Sequence, residues 1–131
     1  MLAKPYRLRK RQDFTAVYQQ GKRWNSSHLA LRTYPRRRSA LALDGVKQSA
    51  LNSREPPRIG ISISQKVSKR AVVRNRIKRQ LRAILRGLLP YLQPGWDLVI
   101  VVRPTAVECD YQQFLQELKQ LLSEAEILHG Y

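Results

Sequence analysis

The segment RAVVRNRIKRQLRAILR, residues 70–86, contains seven basic residues and no acidic one. Guanidinium groups make paired hydrogen bonds with phosphate oxygens, so a dense array of them is typical of surfaces that bind a polyanion. The apolar residues recur at helical spacing, which predicts a helix with one packed face and a wholly positive polar face. Like charges four residues apart oppose such a helix by about 0.2–0.5 kcal/mol per pair. The pattern therefore favours a nucleic acid as the partner that neutralises this face.

The residue types that support catalysis or metal binding are scarce in the rest of the chain. His28 and His129 lie far apart, and no Cys/His group has the spacing of a metal-binding motif. A metal-dependent nuclease usually needs several carboxylates at one site, but only four acidic residues precede residue 108. We interpret two of them, Asp13 and Asp97, as a helix-terminus and a strand-end residue. We expect no catalytic residue, no metal ion and no cofactor bound by the protein alone.

Composition and charge indicate one domain with a polyanionic partner. The chain has 131 residues, 43% of them apolar, which suits a single compact domain over residues 1–131. Its net charge is +16, made up of +20 in residues 1–107 and −4 in residues 108–131. The C-terminal end is therefore not expected to belong to the polyanion-binding face.

The sequence does not indicate a membrane or secreted protein. The N-terminus, MLAKPYRLRKRQDF, lacks the apolar core of a signal peptide, and the longest apolar run, LVIVV at 98–102, is too short to span a bilayer. The single cysteine, Cys109, excludes an internal disulfide and is interpreted as inert. We expect a cytoplasmic protein with no membrane partner and no small-molecule substrate.

Three helices are predicted from apolar spacing and capping residues. The first covers residues 11–21, the second is the basic helix, and the third follows residue 110. The expected boundary residues are Gly21 in a left-handed conformation, Ser68 as the N-cap of the basic helix, Gly87 and Pro90 at its end, and Asp110 with Gln113 as a capping box.

Three strands are predicted at residues 28–35, 58–64 and 96–104. The last is continuously apolar, which is typical of a central strand covered on both faces. In the second, every other residue is glycine or serine, so another group can approach the backbone there. The turn residues and prolines of residues 36–57 predict a flexible loop. Its basic residues Arg36, Arg37 and Arg38 could add phosphate contacts.

The basic segment and the strand before it resemble the signature of the bacterial ribonuclease P protein family. The similar stretch is RIGISISQKVSKRAVVRNRIKRQLR, centred on Arg74-Asn75-Arg76. In addition, YRLRKRQDFTAVYQQG is similar to the family's first helix and GWDLVIVVRP to its last strand. The resemblance covers nearly the whole chain except residues 36–57, which look like an insertion. VSKRAVV replaces the family's Gly-Asn turn, so the helix could start one or more residues away from the family position.

The resemblance implies both a fold and a function. The implied fold is α+β, a small two-layer α–β sandwich of a four-stranded sheet and three helices. Its basic helix lies in a left-handed βαβ crossover, although general topology rules favour a right-handed one. The implied function is that of the non-catalytic protein subunit of an endoribonuclease that removes the 5′ leader of precursor tRNA. Catalysis with Mg²⁺ is expected in the RNA subunit.

The resemblance also implies two RNA-binding sites on this chain. The basic helix and the residues before it are expected to bind the RNA subunit through Lys66, Arg70, Arg74, Asn75, Arg76, Lys78, Arg79 and Arg82. A cleft for the 5′ leader is expected to be lined by Phe14, Tyr18, Arg32 and Tyr34. Accessory basic residues are Arg7, Arg9 and Arg11.

One residue of the implied leader cleft departs from the family pattern, and for two others the choice between cleft and core stays open. Arg32 stands where the family has an aromatic residue, although arginine can also stack on a base. Phe14 and Tyr18 have helical spacing, so they could equally be core residues.

Three alternative functions share parts of this pattern. A ribosomal or general RNA-binding protein would have the basic helix but need no leader cleft. A protein nuclease would cleave RNA with Mg²⁺ and no RNA partner. A membrane-active amphipathic helix is also conceivable, but the basic helix is predicted to lie within a folded domain.

Overall fold

The computed structural model describes residues 6–35 and 56–128. These residues form three α-helices and four β-strands, which confirms the α+β class. The elements are α1 (Arg11–Gln20), β1 (Lys22–Asn25), β2 (Leu29–Pro35), β3 (Arg58–Ser62), α2 (Ala71–Leu88), β4 (Trp96–Val102) and α3 (Tyr111–Glu124). Short 3₁₀ segments at Leu89–Tyr91 and Pro104–Glu108 flank β4. The predicted loop at 36–57 lies outside the described residues except for its last two.

The sheet has the strand order β1-β2-β4-β3. β2 runs antiparallel to both β1 and β4, whereas β3 runs parallel to β4. β4 is therefore interior, as its apolar sequence predicts, and Leu98, Val99 and Ile100 are fully buried. The parallel pair β3 and β4 is joined through α2, which makes the expected βαβ unit. Its left-handed sense stays a prediction.

The two faces of the sheet are covered unequally. On one face, alternate residues of β2 and β4 such as Leu31 and Ile100 join α2 and α3 in the main core. On the other face, the intervening β4 residue Val99 packs in a small cluster with Val17 of α1 and Leu8. Much of that second face therefore lies beside a single short helix, and it is the face where the family resemblance implies a leader cleft.

α2 is held by its apolar stripe. The residues that are buried are Ile77, Leu81, Ile84, Leu85 and Leu88, which confirms the predicted packed face. Gly87 lies inside the helix and Pro90 lies in the following 3₁₀ turn. No acidic residue stands in the first turn and no side chain caps the N-terminus. Because capping is absent, burial of the apolar stripe fixes this helix.

The prediction that Ser68 is the N-cap of α2 is wrong. The helix begins at Ala71 with Arg70 at the cap position, and the Ser68 hydroxyl instead accepts a hydrogen bond from the Arg70 N–H at 3.2 Å. A turn before the helix, closed by the Val67 N–H and the Ser64 carbonyl at 3.0 Å, buries the Val67 side chain. Since this anchor fixes the chain ahead of Ser68, the helix starts later than the cap pattern predicts.

The strand β1 was not predicted, and the predicted conformation of Gly21 is wrong. Lys22–Asn25 is mostly exposed and shows no apolar alternation, so only its pairing with β2 makes it a strand. Gly21 has φ −82° and ψ 166°, an extended conformation and not a left-handed one. A Cβ at this position would collide with the carbonyl oxygens of Val17 and Thr33. Glycine is therefore required by the close approach of α1 to β2.

The third helix follows its sequence pattern closely. The Asp110 side chain accepts a hydrogen bond from the Gln113 N–H at 2.9 Å, and the Gln113 side chain accepts one from the Asp110 N–H at 3.0 Å. This reciprocal pair is the predicted capping box.

Among the described residues, no helix is both long and apolar enough to cross a membrane.

We expect Gly21→Ala to destabilise the fold by about 1–3 kcal/mol, because the new methyl group meets two backbone carbonyls that cannot easily move. Gly87→Ala is the matched control. A Cβ at Gly87 meets nothing within 4 Å, so alanine should stabilise α2 by up to about 1 kcal/mol. Urea unfolding of both variants measures the difference. Equal effects of the two substitutions would contradict the role given to Gly21.

Candidate nucleic-acid interface

The polar face of α2 and the residues before it form an exposed cationic surface. Of the eight residues predicted to bind the RNA subunit, five are exposed and three are half-buried. The exposed group is Lys66, Arg70, Asn75, Arg76 and Arg79, and the half-buried group is Arg74, Lys78 and Arg82. The structure thus brings the predicted set together along one helix and the turn that precedes it.

Backbone carbonyls orient two arginines of this surface. Arg74 Nη1 donates to the Ser68 carbonyl at 2.7 Å, and Arg76 Nη2 donates to the Val107 carbonyl at 3.0 Å. A guanidinium has five N–H donors, so each group can bind a phosphate while it holds its carbonyl. Since the side chains are pre-oriented, less conformational entropy is lost when they bind.

Tyr18 and Arg32, two of the four residues predicted to line the leader cleft, contact each other. The Arg32 Cζ atom lies 4.7 Å from the centroid of the Tyr18 ring, and Arg32 Nη1 donates to the Tyr18 carbonyl at 3.2 Å. The arginine at the family's aromatic position is therefore stacked on a neighbouring ring. The Tyr18 side chain is 37% exposed, so a ring surface is accessible beside a fixed positive charge.

Phe14 and Tyr34 are less accessible than Tyr18. Both are half-buried and pack against the small cluster that contains Val17 and Val99. The Phe14 ring lies over Gly60, where a Cβ would collide with it. The group that approaches the small-residue strand is thus Phe14 itself, and its main contacts are packing contacts.

A groove of about 210 Å³ at the edge of β3 is lined by one residue from each of the two predicted sites. Its lining includes Arg82 of α2, Phe14 of α1, and Arg7 and Arg9 of the N-terminal segment. That segment runs beside β3, since the Leu8 N–H donates to the Ile59 carbonyl at 2.9 Å. The Nε atom of Arg7 is buried without a hydrogen-bond partner in the described part of the chain. The arrangement can hold a polyanion that passes from α2 towards α1.

Two further arginines, Arg23 and Arg103, were missed by the sequence analysis. Arg23 pairs with Arg32 across β1 and β2, so both side chains lie on the same face. Arg23 Nε and Arg103 Nη2 donate to the Asn25 side-chain oxygen at 3.2 and 2.7 Å. They extend the positive surface beside Tyr18. The only signal for Arg23 is its place in β1, which has no apolar pattern.

Arg58 ties α1 to the sheet beneath this surface. It makes two hydrogen bonds of 2.9 Å to the buried Asp97 carboxylate and lies 3.3 Å from an Asp13 oxygen. The hydrogen bonds to Asp97 raise the pKa of Arg58 although partial burial opposes the change. Asp13 and Asp97 thus face a guanidinium, and that positive charge opposes a metal ion between them.

The chain is similar over most of its length to known proteins. The family model described as Ribonuclease P matches residues 2–126. A ribonuclease P protein component from Microcystis aeruginosa is 51% identical, with 96% of this chain and 95% of that protein covered. The component from Trichormus variabilis is 53% identical, with 99% and 98% covered. The solved RNase P protein of Staphylococcus aureus has 24% identity and a TM-score of 0.74, with 95% and 98% covered, which shows the same fold.

We expect Asp97→Ala to lower the free energy of unfolding by about 3 kcal/mol, because it leaves the half-buried Arg58 without its main partner. Glu108→Ala removes one exposed carboxylate from the segment that follows the other end of β4 and should change stability by less than about 0.5 kcal/mol. Chemical denaturation distinguishes the two. A loss for Asp97→Ala no larger than the loss for the control would show that the Arg58 pair does not hold the sheet.

Proposed function

The chain belongs to the ribonuclease P protein family, and we propose that it binds the enzyme's RNA subunit through α2 and the 5′ leader of precursor tRNA through the α1 face of the sheet. One observation carries this proposal. The groove at the β3 edge is lined by three arginines, one of them Arg82 of α2, and by Phe14 of α1, which lies one helical turn from the exposed Tyr18. A protein with this surface can contact two RNA segments at the same time.

The RNA subunit is proposed to bind along α2 mainly through its phosphates. Arg70 and Arg79 are exposed, whereas Arg74 and Arg76 are each held by a backbone carbonyl. Phosphate contacts fix position and orientation, and Asn75 adds a donor and an acceptor for backbone or base edges. RNA bound here also screens the repulsion along α2, so binding and helix stability support each other.

The 5′ leader is proposed to lie across Tyr18 and Arg32. A single-stranded base can stack on an aromatic ring or a guanidinium plane, and stacking tolerates any base. This tolerance suits a subunit that handles precursors with different leader sequences. Arg23 and Arg103 supply positive charge for the leader phosphates on the same face.

Leader removal is proposed to be catalysed by the RNA subunit with Mg²⁺. The Mg²⁺ would stabilise the charge that develops on the phosphate oxygens during cleavage. This chain's own residues hold and orient the two RNAs. Asp13 and Asp97 are paired with Arg58, so we assign them a structural role.

General RNA binding is the second candidate function, since the cationic face of α2 would serve it equally well. The accessible Tyr18 beside Arg32 favours leader binding, because phosphate binding alone needs no exposed ring. Selective binding of the RNA subunit over ribosomal RNA distinguishes the two candidates.

The salt dependence of binding tests the role of α2. The logarithm of affinity for the RNA subunit should fall linearly with the logarithm of salt concentration, by about 0.7–0.9 per phosphate neutralised. Arg79→Ala should make that slope shallower by about one unit. Lys22→Ala removes the same charge from β1, at the opposite edge of the sheet, and should leave the slope nearly unchanged. An identical slope for Arg79→Ala and wild type would remove Arg79 from the interface.

A comparison of precursor and mature tRNA tests the role of Tyr18. Tyr18→Ala should weaken holoenzyme binding of precursor by about tenfold to a hundredfold, the usual loss for one stacked base. Binding of mature tRNA and the melting temperature should hardly change. Tyr111→Ala is the control, because Tyr111 is 41% exposed against 37% for Tyr18 and lies on α3. A large loss of stability with no selective loss for precursor would show that Tyr18 is a core residue.

Incubation of protein alone with precursor tRNA tests where catalysis takes place. Protein freed of RNA should leave the precursor intact across the Mg²⁺ range, because Asp13 and Asp97 face a guanidinium. Gel analysis of end-labelled precursor detects any cleavage. Cleavage by the protein that is abolished by Asp13→Ala would instead support a protein nuclease.

A further inference from the structure

The fold brings together three side chains that the sequence keeps far apart: His28, Cys109 and Glu117. One ligand atom from each, a ring nitrogen, the sulfur and a carboxylate oxygen, lies within 4.8 Å of the others. His28 precedes β2, Cys109 precedes α3, and Glu117 lies within α3. The sequence spacing of the three residues gives no sign of this group, because the group depends on how α3 packs on the sheet.

Hydrogen bonds already orient Glu117 within this group. Its carboxylate accepts from the Ser26 hydroxyl, from the His28 N–H at 2.9 Å, and lies 2.5 Å from His28 Nδ1. Burial raises the pKa of Glu117, but the hydrogen bonds from Ser26 and His28 outweigh it and hold the pKa below its ordinary value. The carboxylate is therefore ionised and fixed in position.

The local charge around Cys109 is negative, although the protein is strongly cationic. Burial raises the pKa of the Cys109 thiol, and the nearby carboxylates of Glu117, Asp110 and Glu108 raise it further. Residues 108–131 carry five acidic residues and one basic residue. A divalent cation placed among these groups would be attracted to the carboxylates and would favour the thiolate.

We propose that His28, Cys109 and Glu117 form a binding site for Zn²⁺. Imidazole nitrogen, thiolate sulfur and carboxylate oxygen are the ligands that zinc takes in proteins, and the thiolate disfavours Mg²⁺ and Ca²⁺. Tetrahedral ligands of one zinc ion lie about 3.3–3.8 Å apart. The ion would therefore separate His28 Nδ1 and the Glu117 oxygen, now 2.5 Å apart, by about 1 Å, and would draw together any ligand pair that is farther apart. Thiolate and carboxylate together neutralise the ion, and its fourth position takes a water molecule. Zn²⁺ binding releases the thiol proton to solvent.

Zinc at this site would fasten the turn before β2 to α3. The same turn already contacts the segment after β4, where the Arg103 N–H donates to the His28 carbonyl at 3.0 Å and the Thr105 hydroxyl donates to the Ser27 carbonyl at 3.2 Å. That segment holds Arg76 through the Val107 carbonyl. The ion would thus stiffen the support beneath one arginine of α2. The site itself does not depend on the proposed function.

Metal titration of the full chain tests the proposal. Chelator-treated, reduced protein is titrated with Zn²⁺ by calorimetry, and with Co²⁺ while its absorption spectrum is recorded. We expect one equivalent of Zn²⁺, a thiolate-to-cobalt charge-transfer band and a melting temperature that rises with Zn²⁺ concentration. Loss of a group that only hydrogen-bonds to a metal ligand weakens metal binding by about tenfold to a hundredfold. Cys109→Ser and Glu117→Gln change the ligands themselves, so each should weaken Zn²⁺ binding by at least about a hundredfold.

Glu108→Gln is the matched control, because it removes a nearby negative charge but no proposed ligand. It should bind Zn²⁺ within about threefold of wild type, since one exposed charge contributes little. Three results would each overturn the site: no charge-transfer band in the wild type, unchanged Zn²⁺ affinity in folded Cys109→Ser, or equal losses in Glu108→Gln and Glu117→Gln. The band is measured on unmodified protein, so the test stands even if a variant fails to fold.

Discussion

The structure depends on the burial of one apolar stripe that holds a self-repelling helix in place. α2 has no acidic residue in its first turn and no side-chain cap, and basic residues repeat along its polar rows. Each repulsive pair costs about 0.2–0.5 kcal/mol, whereas full burial of one Leu or Ile side chain contributes about 1.5–3 kcal/mol. Five such residues are buried on α2, so the free energy gained by packing outweighs the repulsion. The concentrated positive charge therefore remains exposed on a folded helix.

The proximity of the two proposed RNA surfaces follows from the position of β3. This edge strand carries Gly60, so the Phe14 ring of α1 can lie directly on its backbone. β3 pairs with β4 along one edge, and along its other edge the Leu8 N–H donates to the Ile59 carbonyl. This contact brings Arg7 and Arg9 of the N-terminal segment towards Arg82 of α2. One small residue and one edge pairing therefore place residues of the proposed leader face and of the proposed RNA-subunit face beside the same groove.

Local sequence patterns predicted the elements whose determinants are local. The stripe of α2, the apolar interior of β4 and the capping box of α3 were all confirmed, because each depends on residues close together in the chain. The features that failed depend on distant contacts. β1 exists only through pairing with β2, Gly21 is required by a carbonyl of β2, and the start of α2 is set by the burial of Val67. The resemblance supplied the candidate RNA-binding residues, but only the fold shows that Arg32 stacks on Tyr18.

The most direct test of the proposed function is reconstitution with the cognate RNA subunit. Precursor tRNA is incubated with that RNA at low Mg²⁺, with and without the protein, and the 5′ end of the product is mapped. Rapid cleavage at the mature 5′ end is expected only when the protein is present, because its cations replace the screening that high Mg²⁺ otherwise provides. Equal cleavage with and without protein, together with equally tight binding to ribosomal RNA, would contradict it and favour a general RNA-binding protein.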